Sequence, residues 1–419
     1  MKNWAGNLTY GAARVIAPTT LDEVREAVRT SDKLRPLGSR HSFNEISNTS
    51  GSLISLAKLS RVIEIDARHA TVTIDGGVTY GELGETLHAA GYALHNLASL
   101  PHISVAGACA TATHGSGETN CNLATAVVAM ELVSADGEVH SLSPEARGDD
   151  FNGMVVSLGA LGVITKLTLR IEPTFDITQR VYESLSMNEV TTHLNAIESA
   201  AYSVSMFTDW LDNRFTQVWL KEKSAAGSST LPASFHGASP ALQNRHPIAG
   251  IDAEPCTPQM GEAGPWHHRL PHFRMDFTPS SGEELQSEYY VPRHDAVHAL
   301  ETVMAMGRQI APHLLVSEVR AIAADELWLS PCCKQACIAL HFTWKPDWNA
   351  VRPVLGQIES ALAPFEARPH WGKLFTQSPD HVGLLFPRLH DFQRLAASFD
   401  PAGKFRNGFL DEYVLGESG

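Results

Sequence analysis

The first 173 residues consist of short segments in which apolar positions alternate with polar ones or follow a helical period. Thr20 precedes an amphipathic run and has Glu23 three residues on, and Thr79 and Glu82 repeat that capping pattern. The dipeptide Asp136-Gly137 between two alternating runs is typical of a tight hairpin turn. These patterns predict helices over residues 21–31 and 79–90, strands over residues 52–56, 62–66, 71–75, 127–134 and 138–142, and a strand that ends near Ile171.

The pattern changes after Pro173. Residues 223–280 are rich in Pro, Gly and Ser and predict a long loop over a binding surface. Strand-like and helical runs lie on both sides of this loop, in an order that indicates an α+β domain with an antiparallel sheet. The predicted strands cover residues 202–208, 215–221, 285–291, 314–322 and 336–344, and the predicted helices cover residues 295–310 and 348–362.

Two predicted strands have a distinct polar face. Because side chains alternate along a strand, Glu318 and Arg320 point the same way. Between Ile338 and Trp344 the even positions are apolar and the odd positions are small or polar, so His341 lies on the polar side. Taken alone, a Glu–Arg pair is more often a salt bridge, and a strand histidine is more often structural, than catalytic.

Three further residues are candidates for the same polar surface. Gln286 and Glu288 share a face of their strand. Lys373 follows a glycine, which permits a close approach of the chain. We therefore expect these side chains to line a polar pocket.

Length and charge limit the class of protein. The 419 residues exceed what one hydrophobic core usually supports, so two domains are expected. The net charge of −14 argues against nucleic acid or an acidic membrane surface as a partner and favours a neutral substrate. We find no apolar signal core and no run of roughly 18 apolar residues, the length of a membrane span.

The cysteines indicate a reducing environment. Six are thinly scattered and do not form a disulfide framework, so we expect a cytoplasmic protein. Cys332, Cys333 and Cys337 lie close together, but no paired CxxC motif or nearby histidine cluster supports a metal site. We therefore predict no metal ion.

The segment Pro36-Leu37-Gly38-Ser39-Arg40-His41-Ser42-Phe43-Asn44 offers backbone N–H groups and hydroxyls that can surround a pyrophosphate. It also holds one imidazole in place. A second stretch, residues 97–117, consists mostly of small residues and suits a close approach of the backbone to something large and flat. The sequence has no GxGxxG motif after a strand, no P-loop and no HExxH motif, so a nucleotide bound in the Rossmann manner is not expected.

Four motifs in this order resemble the vanillyl-alcohol-oxidase type of FAD flavoprotein: PLGSRHSFN, SLPHISVAG followed by THGSG, LGALGVIT, and DPAGKFRNGF. Within that type the chain is similar to the alditol (xylitol) oxidase family. The similarity runs almost from end to end and includes HFRMDFTPSSGEELQSEYYVPR and RPHWGK. It implies an α+β fold with an FAD-binding domain of two α/β subdomains over residues 1–173. A substrate-binding cap with a large antiparallel sheet flanked by helices would cover residues 174–370, and residues 371–419 would return to the FAD domain and active site.

The resemblance implies one covalent bond to FAD, between the ring of His41 and the 8α-methyl group of the flavin. Such a bond fixes the isoalloxazine and raises its redox potential. Proteins that attach FAD twice carry a cysteine near the flavin, and residues 99–105 contain none. The other expected FAD contacts are Pro36, Leu37, Gly38, Ser39, Arg40, Ser42, Asn44, Ser99, Ser104, Gly107, Ala108, His114, Ile164 and Asn407.

The implied reaction is oxidation of the terminal primary alcohol of a polyol to an aldose, with O₂ reduced to hydrogen peroxide. Xylitol and sorbitol are the expected substrates, with glycerol poorer. His341 or Lys373 would accept the hydroxyl proton, Arg320 would balance charge on the reduced flavin, and Glu318 would orient Arg320. Ser99, Gln286 and Glu288 would complete the substrate site. We expect a monomer.

Two alternatives remain open from the sequence. The first is a sugar-lactone dehydrogenase on the same scaffold that avoids O₂, in which case Ala98 or Ala106 could bear on access to the flavin. The second is a sugar-binding module without a redox role, against which the His41 loop argues.

Overall fold

The computed structural model describes residues 1–59, 62–224, 232–277 and 283–416. The first part of the chain contains a parallel sheet in the order β1-β3-β2 and an antiparallel sheet in the order β4-β5-β9-β7-β8, while β6 pairs with β10. Its strands are β1 (Arg14–Ile16), β2 (Leu34–Pro36), β3 (Ser52–Ile54), β4 (Ile63–Asp66), β5 (Thr71–Asp75), β6 (Tyr92–Ala93), β7 (Val127–Val133), β8 (Val139–Leu142), β9 (Val163–Arg170) and β10 (Glu172–Pro173).

The second part forms an antiparallel sheet of nine described strands, in the order β14-β11-β13-β12-β17-β18-β16-β19, with β15 also paired to β11. The predicted α+β class with a large antiparallel sheet is confirmed. The strands are β11 (Asp176–Ser186), β12 (Ser203–Thr208), β13 (Arg214–Ser224), β14 (Ser239–Pro240), β15 (Gly264–Pro265), β16 (Leu285–Pro292), β17 (Leu314–Ile322), β18 (Cys337–Trp344) and β19 (Arg368–Pro369).

The helices pack on these sheets. They are α1 (Leu21–Thr30), α2 (Tyr80–Ala89), α3 (Val105–Ala110), α4 (Pro144–Arg147), α5 (Asp150–Val155), α6 (Met187–Glu198), α7 (Ala296–Ala305), α8 (Gly307–Ile310), α9 (Trp348–Leu362), α10 (Pro379–Leu385), α11 (Leu389–Phe399) and α12 (Gly408–Leu410). Thr20 caps α1, and the predicted capping box of Thr79 and Glu82 opens α2. None of the described helices is long and apolar enough to cross a membrane.

Two large apolar clusters support the five-stranded sheet and the nine-stranded sheet. One cluster packs β5, β7 and β9 against α2 and also takes in side chains of α10, α11 and α12. The other covers one face of the nine-stranded sheet with side chains of α6, α7 and α9. The polar residues of β16, β17 and β18 lie on the opposite face of that sheet.

Several elements differ from the sequence prediction, among them helices α6, α10 and α11, which were not predicted. The helix predicted over residues 295–310 is interrupted at Met306, because the backbone of Gly307 lies against the carbonyl of Trp210, with room only for a glycine. Strand β11 was not predicted, since both of its faces are buried and alternation is lost. The loop predicted over residues 223–280 contains β14, β15 and a 3₁₀ turn at Trp266–His268, and its residues 225–231 and 278–280 lie outside the described residues.

Candidate active site

The polar face of the nine-stranded sheet and two loops of the first part of the chain enclose a cavity of ≈ 670 Å³. This volume is typical of a small-molecule site. One wall is the loop after β2, a second is the small-residue stretch that includes α3, and the third consists of side chains from β16, β17, β18 and the segment 370–373.

His41 lies on the loop after β2, next to Arg40, whose backbone is left-handed (φ 66°). Its Nδ1 donates to the carbonyl of Ser39 at 3.1 Å, and its ring stacks on Trp4 with centroids 4.9 Å apart. The Nε2 atom is buried and has no hydrogen-bond partner among the described residues. Burial lowers the pKa of His41 to about 4, so the ring is neutral at pH 7 with its lone pair on Nε2.

The small-residue stretch packs directly on this loop. The backbone N–H of Ser104 donates to Oγ of Ser39 at 3.2 Å. A Cβ atom on Gly38 or Gly107 would lie 2.6 or 2.7 Å from Oγ of Ser104, so a larger residue at either position would displace this hydroxyl. The Ser104 hydroxyl is buried and lacks a partner within the described part of the chain, as does Nε2 of His41.

The same loop is bonded to the segment that carries Lys373. The N–H of Phe43 donates to the carbonyl of Gly372 at 2.8 Å. The side-chain amide of Asn44 donates to the carbonyls of Trp371 and Lys373, each at 2.8 Å. These bonds fix Lys373 relative to His41.

Three polar side chains form one row across neighbouring strands. In the register of the sheet, His341 of β18 faces Glu288 of β16 on one side and Glu318 of β17 on the other. Arg320 faces Ala339 on β18, and this small side chain leaves space for the guanidinium to reach Glu288. The predicted polar face of these strands is therefore the face that lines the cavity.

Glu288 is the centre of the buried charges. Its fully buried carboxylate accepts from Nη2 of Arg320 at 2.8 Å and from Nζ of Lys373 at 2.8 Å, and Nε2 of His114 lies 3.2 Å away. Burial opposes ionisation of Glu288, but the charges of Lys373 and Arg320 outweigh it and hold its pKa well below the usual range. Breaking such a buried pair leaves an uncompensated charge, so the set is fixed as a unit.

A second buried carboxylate, that of Glu318, is held by a histidine and a lysine. Its Oε1 accepts from Nε2 of His272 at 2.8 Å, and Nδ1 of His272 accepts from Nζ of Lys221 at 3.1 Å. Burial lowers the pKa of His272 to about 4 and that of Lys221 to about 7. Burial opposes ionisation of Glu318 as well, but Arg320 and His272 hold its pKa far below the usual range. The chain Lys221–His272–Glu318 therefore orients an ionised carboxylate toward the cavity.

Lys373 and His341 are in direct contact. Nζ of Lys373 lies 2.6 Å from Nδ1 of His341, and Nε2 of His341 lies 3.1 Å from Oγ1 of Thr343. Burial lowers the pKa of Lys373, and burial followed by the charge of Lys373 lowers that of His341 to about 4. The imidazole is therefore neutral at pH 7 and shares a proton path with the amine.

Most of the residues predicted for the site line this cavity. They are Pro36, Leu37, Gly38, Ser39, Arg40, His41, Ser42, Ser99, Ser104, Gly107, Ala108, His114, Ile164, Gln286, Glu288, Glu318, Arg320, His341 and Lys373. Asn44 and Asn407 lie outside it. The amide of Asn407 donates to the carbonyls of Glu45, Ile46 and Asn48, and its Oδ1 accepts from the N–H of Leu410, so this side chain is fully used in holding the backbone.

Sequence reasoning missed several residues of the site. His272, Thr343 and His370 line the cavity, and Lys221 lies behind His272. Thr343 shares the polar face of β18 with His341, and that alternation was sufficient to find it. His272 and Lys221 come from the long loop and from β13, and no local pattern connects them to Glu318.

The cavity fits an FAD molecule. Its first two walls are loops of small residues in direct contact, and they contain a buried imidazole nitrogen and a buried hydroxyl without partners within the described ranges. Gly76 and Gly77, which follow β5, and Ile164 of β9 extend the lining to the five-stranded sheet. A long cavity with backbone donors at one side and the polar sheet face at the other suits a dinucleotide with a reactive ring.

The chain matches known proteins over almost its full length. The family model described as FAD binding domain matches residues 12–143, and that described as D-arabinono-1,4-lactone oxidase matches residues 280–413. Alditol oxidase of Streptomyces sp. is 48% identical over 99% of this chain and 99% of that protein. L-gulono-1,4-lactone dehydrogenase of Mycobacterium tuberculosis is 28% identical over 99% of this chain and 98% of that protein. A solved structure, solvent-stable cholesterol oxidase, superposes with a TM-score of 0.80 at 15% identity, over 98% of this chain and 96% of that one, which shows the shared fold.

Proposed function

The chain belongs to the alditol oxidase family of FAD-dependent oxidoreductases, and we propose that it oxidises the terminal primary alcohol of polyols such as xylitol and sorbitol to the aldose. O₂ is the electron acceptor and hydrogen peroxide the second product. One observation carries this proposal: the polar row of Glu288, His341 and Glu318 and the loop of His41 line one cavity. The sugar-lactone relatives are more distant in sequence, which favours the polyol.

The sheet face supplies groups for a neutral, hydroxyl-rich substrate. The carboxylate of Glu318 accepts hydrogen bonds, while the side chains of Gln286, Thr343 and Ser99 both donate and accept. At the sheet face Arg320 and Lys373 are paired with Glu288 and Glu318, so this part of the cavity does not favour an acidic substrate. An acyclic polyol meets these groups with several hydroxyls at once.

Lys373 and His341 form one proton-accepting unit. Groups this close titrate as a pair, and their apparent pKa values belong to the pair. The proton that leaves the substrate hydroxyl is held at Nζ of Lys373 or Nδ1 of His341, and the carboxylate of Glu288 stabilises the protonated pair. FAD, when bound beside these residues, would supply the hydride acceptor and the route for electrons to O₂.

Arg320 provides a fixed positive charge in a site with little water. Its guanidinium is 7% exposed and is held between Glu288 and Glu318, 2.8 and 3.5 Å away. A positive group fixed in advance stabilises negative charge that develops on the substrate oxygen or on the reduced cofactor without reorganisation. Glu318 positions Arg320 and is itself positioned by His272.

We propose that the cofactor is attached once, through Nε2 of His41. This nitrogen has a free lone pair because Nδ1 donates to Ser39. Cys109, which lies within the small-residue stretch 97–117, supports single attachment: its thiol is buried beside the hydroxyl of Tyr80, and burial raises its pKa to about 12. A buried thiol that stays protonated is a poor nucleophile.

We propose that the protein works as a monomer in the cytoplasm. All six cysteines are unpaired, which supports a reducing compartment. Sedimentation of the purified holoenzyme tests the monomer.

The deciding experiment compares electron acceptors. Purified holoenzyme is given xylitol, sorbitol, glycerol or L-gulono-1,4-lactone, and peroxide is measured in parallel with reduction of an artificial dye. We expect peroxide with xylitol and sorbitol. Dye reduction by the lactone without peroxide from any polyol would instead favour a lactone dehydrogenase, in which Ala98 and Ala106, both in the cavity wall, become the positions to examine.

A further inference from the structure

A buried histidine outside the active site has no hydrogen-bond partner. The side chain of His267 is only 5% exposed, and neither of its ring nitrogens has a partner among the described residues. It belongs to the 3₁₀ turn Trp266–His268, which lies on α2. Burying an unsatisfied imidazole costs stability, so its retention calls for a ligand.

Helix α2 is shaped to accept this side chain. A Cβ atom on Gly84 would lie 2.8 Å from Cβ of His267, and one on Gly81 would lie 2.5 Å from the sulfur of Met275. Glycine in the interior of a helix weakens it. Both glycines are placed where the segment 266–275 crosses the helix, which shows that close contact with this segment is built into α2.

Glu85 and His268 each offer one further atom that could bind a metal ion beside His267. Glu85, the residue after Gly84, has its Oε1 3.6 Å from Nε2 of His267 and 2.8 Å from Nε2 of His268. One ligand atom from each of the three residues lies within 4.8 Å of the others. Ligand atoms bound to one tetrahedral zinc ion are about 3.3 Å apart, which follows from metal–ligand distances of about 2.0–2.1 Å.

We propose that Glu85, His267 and His268 bind a divalent transition-metal ion of the Zn²⁺ class, with water as the fourth ligand. Two imidazoles and one carboxylate are the ligands that Zn²⁺ prefers. The sequence prediction of no metal rested on the cysteines and on short motifs, and it did not connect Glu85 with His267 and His268, which lie 182 and 183 positions further along the chain.

The ion would join α2 to the segment that leads to the active site. Lys221 donates to the carbonyls of Leu270 and Pro271, and His272 holds Glu318. A metal ion bound at His267 and His268 fixes the beginning of this segment on the first part of the chain. Its role is therefore structural, and it takes no part in the redox chemistry.

Zn²⁺ titration tests the site. The holoenzyme, prepared without a histidine tag and freed of metal by chelation, is titrated with Zn²⁺ in a calorimeter, and its thermal midpoint is measured with and without Zn²⁺. We expect binding and a higher midpoint for the unaltered protein. Glu85→Gln and His268→Gln change exposed side chains and should weaken Zn²⁺ binding at least tenfold.

The matched control is His193→Gln. His193 belongs to a surface group with Glu189 and His236 that also brings three ligand atoms within 4.8 Å, and its side chain is 48% exposed, as is that of His268. The control should bind Zn²⁺ as the unaltered protein does. No binding, equal binding in all variants, or loss only in His193→Gln would overturn the proposal.

A second variant separates metal binding from packing. His267→Phe replaces the unsatisfied imidazole with an apolar ring. We expect this protein to lose Zn²⁺ binding while its metal-free thermal midpoint stays equal or rises. A lower metal-free midpoint in His267→Phe together with unchanged Zn²⁺ binding would show that His267 serves packing alone.

Discussion

The side-chain amide of Asn44 donates to the backbone carbonyl of Lys373 across 2.8 Å, and so joins the loop of His41 to the proposed proton acceptor. Asn44→Asp removes this donor and places a carboxylate against two carbonyls. We expect kcat for xylitol to fall about tenfold to a hundredfold, since small displacements of a catalytic group have effects of this size. Asn7→Asp alters a bond to the carbonyl of Phe43 in the same loop and should change kcat much less. Equal losses in both variants would contradict this role.

Removing His41 should release the cofactor from covalent attachment. Acid-precipitated unaltered protein should be yellow, and acid-precipitated His41→Ala should be colourless, as measured by flavin absorbance of the pellet. His102→Ala, which removes a neighbouring histidine bonded to the carbonyl of Met275, should keep its yellow pellet. A yellow pellet from His41→Ala would refute the attachment site.

Glu288→Gln tests the carboxylate that Arg320 and Lys373 share, and it should lower stability as well as activity because it leaves buried charges uncompensated. The variant leaves Arg320 and Lys373 without their shared carboxylate, so we expect kcat/KM to fall at least about a hundredfold, as for loss of a charge-positioning group. The control is Glu359→Gln, which alters a buried carboxylate that accepts from Tyr289 on the opposite face of the same strand. That variant should lose stability and keep kcat/KM near normal.

The proton-accepting pair predicts a pH effect. The charge of Lys373 helps to lower the pKa of His341 to about 4, so Lys373→Gln should raise it toward the ordinary value of about 6.5. The acid limb of the residual kcat/KM profile should therefore move to higher pH. The profile of His341→Gln should lose that limb. If both variants keep the profile of the unaltered protein, neither residue carries the proton.

His272 should make stability depend on pH. Its pKa is about 4 when folded, so between about 6.5 and 4 the unfolded chain binds a proton that the folded protein does not. The free energy of unfolding then falls as pH drops through this window, by up to about 1.4 kcal/mol per pH unit for this residue. Urea unfolding of His272→Gln should show a shallower slope. An unchanged slope in His272→Gln would contradict this role of His272.

Local chemistry accounts for the elements that the sequence predicted. The capping box at Thr79 and the turn at Asp136-Gly137 each depend on residues within three positions of each other. The alternation of side chains along β17 and β18 put Arg320 and His341 on the polar side of their strands, which is the side that lines the cavity. The loop of His41 was identified from its glycine, hydroxyls and imidazole, and the resemblance to flavoproteins supplied its expected role. These parts of the fold depend on short-range geometry that a single sequence contains.

Long-range contacts account for what was missed. His272 reaches Glu318 from a loop 46 positions away, and the break at Gly307 is imposed by the carbonyl of Trp210. Asn407 lies in a motif shared with flavoproteins, yet its amide holds the backbone of residues 45–48. Residues far away in the sequence supply the hydrogen-bond partners of such a side chain, and no local pattern specifies them.

The bond between Asn44 and Lys373 spans 329 positions of the chain. A ribosome therefore releases the His41 loop long before the amine that it helps to position has been synthesised, and the wall of the cavity formed by residues 370–373 closes only afterwards. The protein therefore binds its cofactor tightly only after the whole chain has been synthesised. Yellow colour in a cell extract would therefore report chains whose synthesis is complete.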